Sequence, residues 1–330
     1  MREFASQLIE LDIQIGFKIS ARGWCYTLEG YNLITKAEFD IVENLINNCR
    51  RTGLLPIDFV AEEEARKFSG VEIPDSQTPT MYMRRYLNAA LEAENYYTPD
   101  WWEGEKYYIQ IVVEKIDLKT LFTPICKKFH IPIATGRGWS SMLQRAEYAR
   151  RFKEAEDDKG LLCVLLYCGD HDPDGLRIDQ FLRENLEDLN NIKWRDSSEG
   201  YNPESLDIQR FGLNYDFIIA NDLTWIDNLI TARRKNLADS SHPNFHLPYV
   251  QEYLKKYGAR KCEANSLIIK PEEGRALCKQ AIEEYLGSNA VLRFRKKREK
   301  VKEKLDEFRE RTGLNESIRE AIALIEEEEE

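Results

Sequence analysis

The middle of the chain alternates two kinds of segment, and this alternation restricts the fold more than any other feature. Tyr107 to Val113, Ile131 to Ala134 and Leu161 to Tyr167 are short apolar runs rich in β-branched and aromatic residues, as strands are. Leu118 to Phe129, Ser140 to Phe152 and Leu176 to Leu189 instead carry their apolar residues at helical spacing. A βαβαβα order predicts an α/β fold in which helices cover a parallel sheet. In such sheets the chemistry collects at the carboxyl ends of the strands.

The flanking segments read differently. Thr35-Lys36-Ala37-Glu38 is a capping-box pattern, followed at helical spacing by Phe39, Val42, Leu45, Ile46 and Cys49, with Gly53 as the C-cap. Ser20 is placed to cap an earlier short helix carrying Trp24, Tyr26 and Leu28. Leu54 to Phe59 reads as a short edge strand, so helix, turn, helix and strand suggest a winged-helix arrangement. Residues 60–104 read as a link. The expected organisation is a winged-helix-like domain with its link over 1–104, an α/β domain over 105–288, and a charged helix with an acidic tail over 289–330. Within that helix Arg293 to Lys304 is dense in Lys and Arg, but Glu299 and Glu303 interrupt it, which favours a solvated face over a DNA-binding arm.

Composition limits the partners. The net charge is −11, and five of those charges are the run Glu326 to Glu330. Phosphate binding ordinarily wants a basic surface, so any nucleic-acid groove must be basic only locally. Candidates are Lys127-Lys128, Arg145 with Arg150-Arg151, and Arg233-Arg234-Lys235. The seven cysteines are scattered with no C-x-x-C pair, which suits reduced thiols and a cytosolic protein. Every long apolar run is broken by charge, so no membrane partner is expected. His242 and His246 lie four apart around Pro243, which disfavours a helical zinc pair and predicts a loop.

Carboxylates stand at the expected strand ends. Val112-Val113-Glu114-Lys115 puts one where the first strand gives out, and Gly169-Asp170-His171-Asp172-Pro173-Asp174-Gly175 puts others after the third. In extended chain Asp170 and Asp172 share a side. Hard oxygen ligands of this kind suit Mg2+ or Mn2+, with substrate phosphate completing the shell. Ala134-Thr135-Gly136-Arg137-Gly138 ends the second strand in a small-residue loop that phosphate could approach. A lone strand-end glutamate is ordinarily a solvated carboxylate and a lone D-x-D a turn. Their coincidence at successive strand ends favours a metal site.

These motifs, V-V-E-K, T-G-R-G and D-H-D-P-D-G, resemble the Toprim fold of topoisomerases, primases and some nucleases. The D-x-D-P-x-G form is similar to the A subunit of topoisomerase VI and its meiotic double-strand-break relatives, and Lys261 to Leu267 resembles their E-x-x-A-L strand. The resemblance covers about 105–285. It implies that Glu114 and Asp170 hold the main metal and that Asp172 completes the site or holds a second ion. Lys115, Arg137 and His171 become candidate phosphate contacts.

Upstream, Arg22-Gly23-Trp24-Cys25-Tyr26 resembles that family's arginine-to-tyrosine pentad, with Gly23 where an acidic residue is usual. The resemblance implies that Tyr26 attacks DNA, that Arg22 assists it, and that the tyrosine of one protomer meets the metal site of another in a homodimer. A phenol with an ordinary pKa of about 10 needs activation for this. The expected activity is therefore Mg2+-dependent DNA cleavage by tyrosine transesterification, like that of a type IIB topoisomerase A subunit. No nucleotide motif of an ATPase is visible, so strand passage would require a separate ATPase subunit. Two alternatives stand beside it: a hydrolytic Toprim nuclease, and a non-catalytic DNA-binding protein, which the acidic net charge favours.

Overall fold

The computed structural model describes residues 1–61, 77–136, 142–194, 196, 199–230 and 235–327. The chain forms two compact units, Met1–Glu62 with Gly104–Gly287 and Glu63–Glu103 with Ser288–Glu330. This differs from the three-part division expected from sequence. The N-terminal helices share a unit with the sheet, and the 60–104 link pairs with the C-terminal helices.

The first unit is α/β. Strands β1 (Tyr107–Val113), β2 (Ile133–Thr135), β3 (Leu162–Cys168) and β4 (Asp207–Gly212) form one parallel sheet in the order β2-β1-β3-β4. β1 and β3 are the inner strands and are buried from their second residue onward. Helices Ile116–Lys128, Met142–Lys159, Ile178–Glu187 and Pro271–Leu286 cover the sheet. Phe122, fully buried on the first of them, tilts against Phe211 of β4 at 5.8 Å.

β2 starts two residues later than the apolar run suggests. The amide of Ile131 is spent on the carbonyl of Cys126, closing the preceding helix through His130 at φ 54. β4 has no counterpart in the sequence reading. As an edge strand it is only partly covered, so polar Asp207, Gln209 and Arg210 dilute its apolar pattern.

Residues 1–61 form the helices Arg2–Ile15, Ala21–Gly30 and Phe39–Arg51, packed around fully buried Trp24, which stacks on Phe59 at 5.0 Å. The expected caps are present. Ser20 Oγ accepts from the Gly23 amide at 2.9 Å, and Glu38 Oε2 accepts from both Thr35 N and Thr35 Oγ1 at 2.8 Å. The expected strand at Leu54 to Phe59 does not form. The amides of Leu54 and Leu55 both return to the Cys49 carbonyl, and that of Phe59 to Pro56, so these bonds close turns instead of a ladder. Among the described residues this region therefore has helices and no wing. Ile268, from the far end of the chain, completes its core.

In the second unit, helices Pro79–Leu91 and Ala93–Tyr96 pack with Ala290–Thr312 and Leu314–Glu327. The charged C-terminal helix breaks at Gly313, which takes φ 64. Its buried Arg309 pairs with Glu94 at 3.0 Å, and Phe294 packs on Trp101 at 4.6 Å. No described helix is long and apolar enough to cross a membrane.

Phe122→Ala should lower the unfolding free energy by about 3–5 kcal/mol in urea denaturation, because a large buried ring is replaced by a cavity under the sheet.

Candidate functional site

With the order β2-β1-β3-β4, the connections leaving β1 and β3 run to opposite sides, so the crevice beyond their carboxyl ends is the switch point where open α/β sheets bind ligands. Val113 and Cys168 are register partners at the end of this strand pair, and Glu114 continues it by donating its amide to the Cys168 carbonyl at 3.0 Å. Glu114 Oε2 accepts from the Asp170 amide at 2.9 Å. Asp170 Oδ1 accepts from the Ala264 amide at 2.7 Å.

Three further features hold the loop after β3. Arg210 of β4 donates to the carbonyls of Gly169, Asp170, Leu213 and Gly175 at 2.7–3.1 Å. Asp172 Oδ1 accepts from the Gly175 amide at 2.6 Å. Gly175 is required here, since a Cβ would lie 2.2 Å from the Asp170 carbonyl oxygen.

A lysine stands at the centre of this cluster. Lys115 Nζ lies 2.8 Å from Glu114 Oε1, 2.8 Å from Asp170 Oδ2 and 3.4 Å from Glu263 Oε2. Glu263 Oε1 also accepts from Lys261 at 2.7 Å and Lys36 at 2.8 Å. Burial works to lower the Lys115 ammonium, but Asp170, Glu263 and Glu114 together hold it well above its ordinary value. The carboxylates divide. Burial, with Glu114 and Glu263 nearby, pushes Asp170 up strongly, whereas Lys115 and the Asp170 amide hold Glu114 down against burial. Two buried acids that share one cation do not ionise with equal ease. Burial also pushes Asp172 up to about 6.

Tyr26 joins the cluster of its own chain. Its ring lies 5.2 Å from Lys115 Nζ and 5.5 Å from Lys36 Nζ, and meets Phe39 edge-on at 5.1 Å. Burial raises its phenol above the ordinary value, with Lys115 opposing the shift. The resemblance implied instead a meeting of two protomers. Arg22 is half-exposed, and its guanidinium reaches Glu43 at 3.0 Å and Asp40 at 3.6 Å across the Phe39 ring. The cations over the Tyr26 ring are the two lysines, while Arg22 meets the Tyr26 side chain through a hydrogen bond and charge.

Gly23, the departure from the family's acidic position, has a local cause. A Cβ there would lie 2.3 Å from Asp117 Oδ2. Asp117, on the helix after β1, accepts from the Ser20 amide at 2.8 Å and from its hydroxyl at 3.2 Å.

Other expected residues fall elsewhere. His171 is 1% exposed, so it cannot serve as a phosphate contact. Its Nδ1 is 3.0 Å from the Leu213 carbonyl, and Tyr215, Trp225, Tyr253 and Tyr257 surround the ring. The neutral Nδ1–H tautomer fits this geometry, and burial lowers its pKa to about 4. Arg137, Arg233 and Arg234 lie outside the described residues. His242 and His246 occupy turns before the helix Pro248–Tyr257, as a loop reading requires. Sequence reasoning gave no role to Lys36, Asp117, Arg210 or Lys261; Lys36 and Asp117 reach partners 227 and 97 positions away, and such reach leaves no local signal. Glu263 stood in a quoted motif without a role.

The donor chemistry suits a hard divalent ion, and Glu114 and Asp170 already converge on one cation, the Lys115 ammonium. In that sense the pair fits Mg2+ or Mn2+. Among the described residues, no group of three or more His, Cys, Asp or Glu side chains is arranged to hold a metal, since Asp172 turns to the Gly175 amide. In comparisons with known proteins, no family model, no curated protein and no solved structure matches the chain. Fold and geometry thus define an α/β protein with an acid–lysine cluster at its switch point.

Lys115→Met should cost about 3–5 kcal/mol of stability in chelator, because buried carboxylates lose their cation. Millimolar Mg2+ or Mn2+ should then raise Tm more for this variant than for the wild type; an equal response in both would exclude the shared-cation position as a metal site. His171 supplies a pH test. Its folded pKa of about 4 lies below the unfolded value near 6.5, so below that value the unfolded chain binds its proton first. Stability from this group is full above about 6.5 and is lost as pH falls through 4. Nitrogen NMR should find the ring neutral down to about pH 5.

Proposed function

We propose that the chain cleaves DNA by Mg2+-dependent tyrosine transesterification, as a Toprim protein similar to a type IIB topoisomerase A subunit. The observation that supports this is the placement of Lys115, 2.8 Å from both Glu114 and Asp170 and 5.2 Å from the Tyr26 ring. One cation links the acidic strand ends to a phenol.

In the proposed step the Tyr26 oxygen attacks the phosphorus of a phosphodiester. A phosphotyrosine bond forms, the bond to the leaving nucleotide oxygen breaks, the phenol proton passes to solvent water, and the leaving alkoxide takes a proton from solvent water. Lys115 and Lys36 offset negative charge as it develops on the phenol and phosphate. The chemistry a divalent cation supplies when held by Glu114 and Asp170, with Asp172 turned inward, is charge neutralisation on the phosphate.

The same-chain position of Tyr26 supports a reaction completed within one protomer. A homodimer then serves to cut two strands, and an ATPase subunit serves strand passage. A second reading, hydrolysis by water at the same carboxylates, is favoured by the raised phenol of Tyr26.

Incubating the protein with supercoiled plasmid and Mg2+ should give a covalent adduct on a denaturing gel, and Tyr26→Phe should abolish adduct and cleavage together. Persistent cutting with free ends would establish the hydrolytic reading. Mixing Tyr26→Phe with Asp170→Ala protein should restore no activity; restoration would show that the two residues act across protomers.

A further inference from the structure

We propose that Lys36 is a phosphate-positioning residue, and that Lys36 and Lys115 form a two-ammonium clamp across the Tyr26 ring that binds a DNA phosphodiester. The inference deepens the cleavage reading and rests on it for the identity of the substrate.

The sequence around Lys36 shows only a helix cap, and that cap fixes its position. Glu38 ties down Thr35, and Lys36 opens the short 3-10 turn Lys36–Glu38 that leads into the helix Phe39–Arg51. From there its side chain crosses to Glu263, 227 positions along the chain, at 2.8 Å. It also lies 5.5 Å from the Tyr26 ring centroid, close to the 5.2 Å of Lys115. A tyrosine face attracts cations, so the ring holds both ammoniums near its phenol before any substrate arrives.

Charge and exposure single out Lys36. Glu263 receives three ammoniums, those of Lys36, Lys115 and Lys261, and so shares its charge among them, with Glu29 also acting on Lys36. Lys115 has Glu114 and Asp170 to balance it. Lys261 is sealed, its side chain only 5% exposed, and donates its remaining bond to the Ile230 carbonyl. Lys36 has 24% of its side chain exposed, the most open of the three, with Glu263 as its ion-pair partner. Burial acts to lower its ammonium, but Glu263 outweighs burial, so the charge is retained. An ammonium has three donors. Of the three ammoniums, Lys36 on the Tyr26 side of the cluster is the one that reaches solvent, where a phosphodiester oxygen can meet it.

The test separates the clamp from the cleavage chemistry. In a Tyr26→Phe background, binding of a fluorescent DNA duplex is measured by anisotropy across a salt series. Lys36→Met should flatten the slope of log K against log salt by about 0.9, the loss of one phosphate contact, and weaken binding about eightfold at 0.1 M salt. Lys36→Arg, which keeps the charge, should restore most of the affinity. With Tyr26 intact, Lys36→Met should raise KM and slow adduct formation, while thermal melting confirms that the variant is folded.

An unchanged salt slope in folded Lys36→Met overturns the clamp and leaves Lys36 as a structural partner of Glu263. The same result with normal adduct formation leaves the cleavage reading standing. A lowered slope in a protein that forms no adduct supports the clamp while removing transesterification. If Lys36→Met fails to fold, Lys36→Gln in the same binding assay decides.

Discussion

The ammonium of Lys115 is the interaction on which the rest of the site depends. Parallel strands bring Glu114 and Asp170 together at the switch point, where both carboxylates are largely shielded from water. Like charges forced together in such a place carry a desolvation cost of several kcal/mol each unless a cation sits between them. Lys115 follows Glu114 directly in sequence, so the strand end delivers carboxylate and counter-ion as one unit. Its reach to Glu263 then draws in Lys261 and Lys36, and through them the segments 261–267 and 35–38. What began as a pair of strand ends becomes a network spanning most of the first unit.

The sheet was legible because its inner strands are buried on both faces and so appear as unbroken apolar runs. β1 matches its run from Tyr107 to Val113, and β3 is displaced by one residue. The acidic positions were legible for the same reason, since a strand end is where such a run stops. β4 was not, because polar Asp207, Gln209 and Arg210 interrupt its apolar run. The expected strand after Gly53 failed because backbone amides closed a helix end, and a side-chain pattern does not record that preference. The four-residue capping box was readable in full, yet the long reach of Lys36 was not. Local pattern reports local hydrogen bonds and is silent about a partner 227 residues away.

The division of the chain shows the same limit. The segment before β1 reads as a link because its polar residues and prolines carry no long period. Its order comes from tertiary partners, with Glu94 receiving Arg309 and Trp101 receiving Phe294. Such pairings join distant stretches of chain into one unit. His171 makes a similar point within the acidic loop. Flanked by two aspartates it looks like a ligand, yet it is a neutral ring in an aromatic cage that anchors the loop from beneath.

The contact between Gly23 and Asp117 has a mechanical meaning. Asp117 takes both the amide and the hydroxyl of Ser20, and the missing Cβ of Gly23 lets the helix that carries Tyr26 lie directly against it. Asp117 sits three residues beyond Glu114 on the helix that β1 feeds. The tyrosine and the acid cluster are thus mounted on one rigid joint, and neither can swing away without breaking a buried carboxylate bond. Any movement of this unit that leaves the joint intact must pivot elsewhere, with Tyr26 carried along beside the acids.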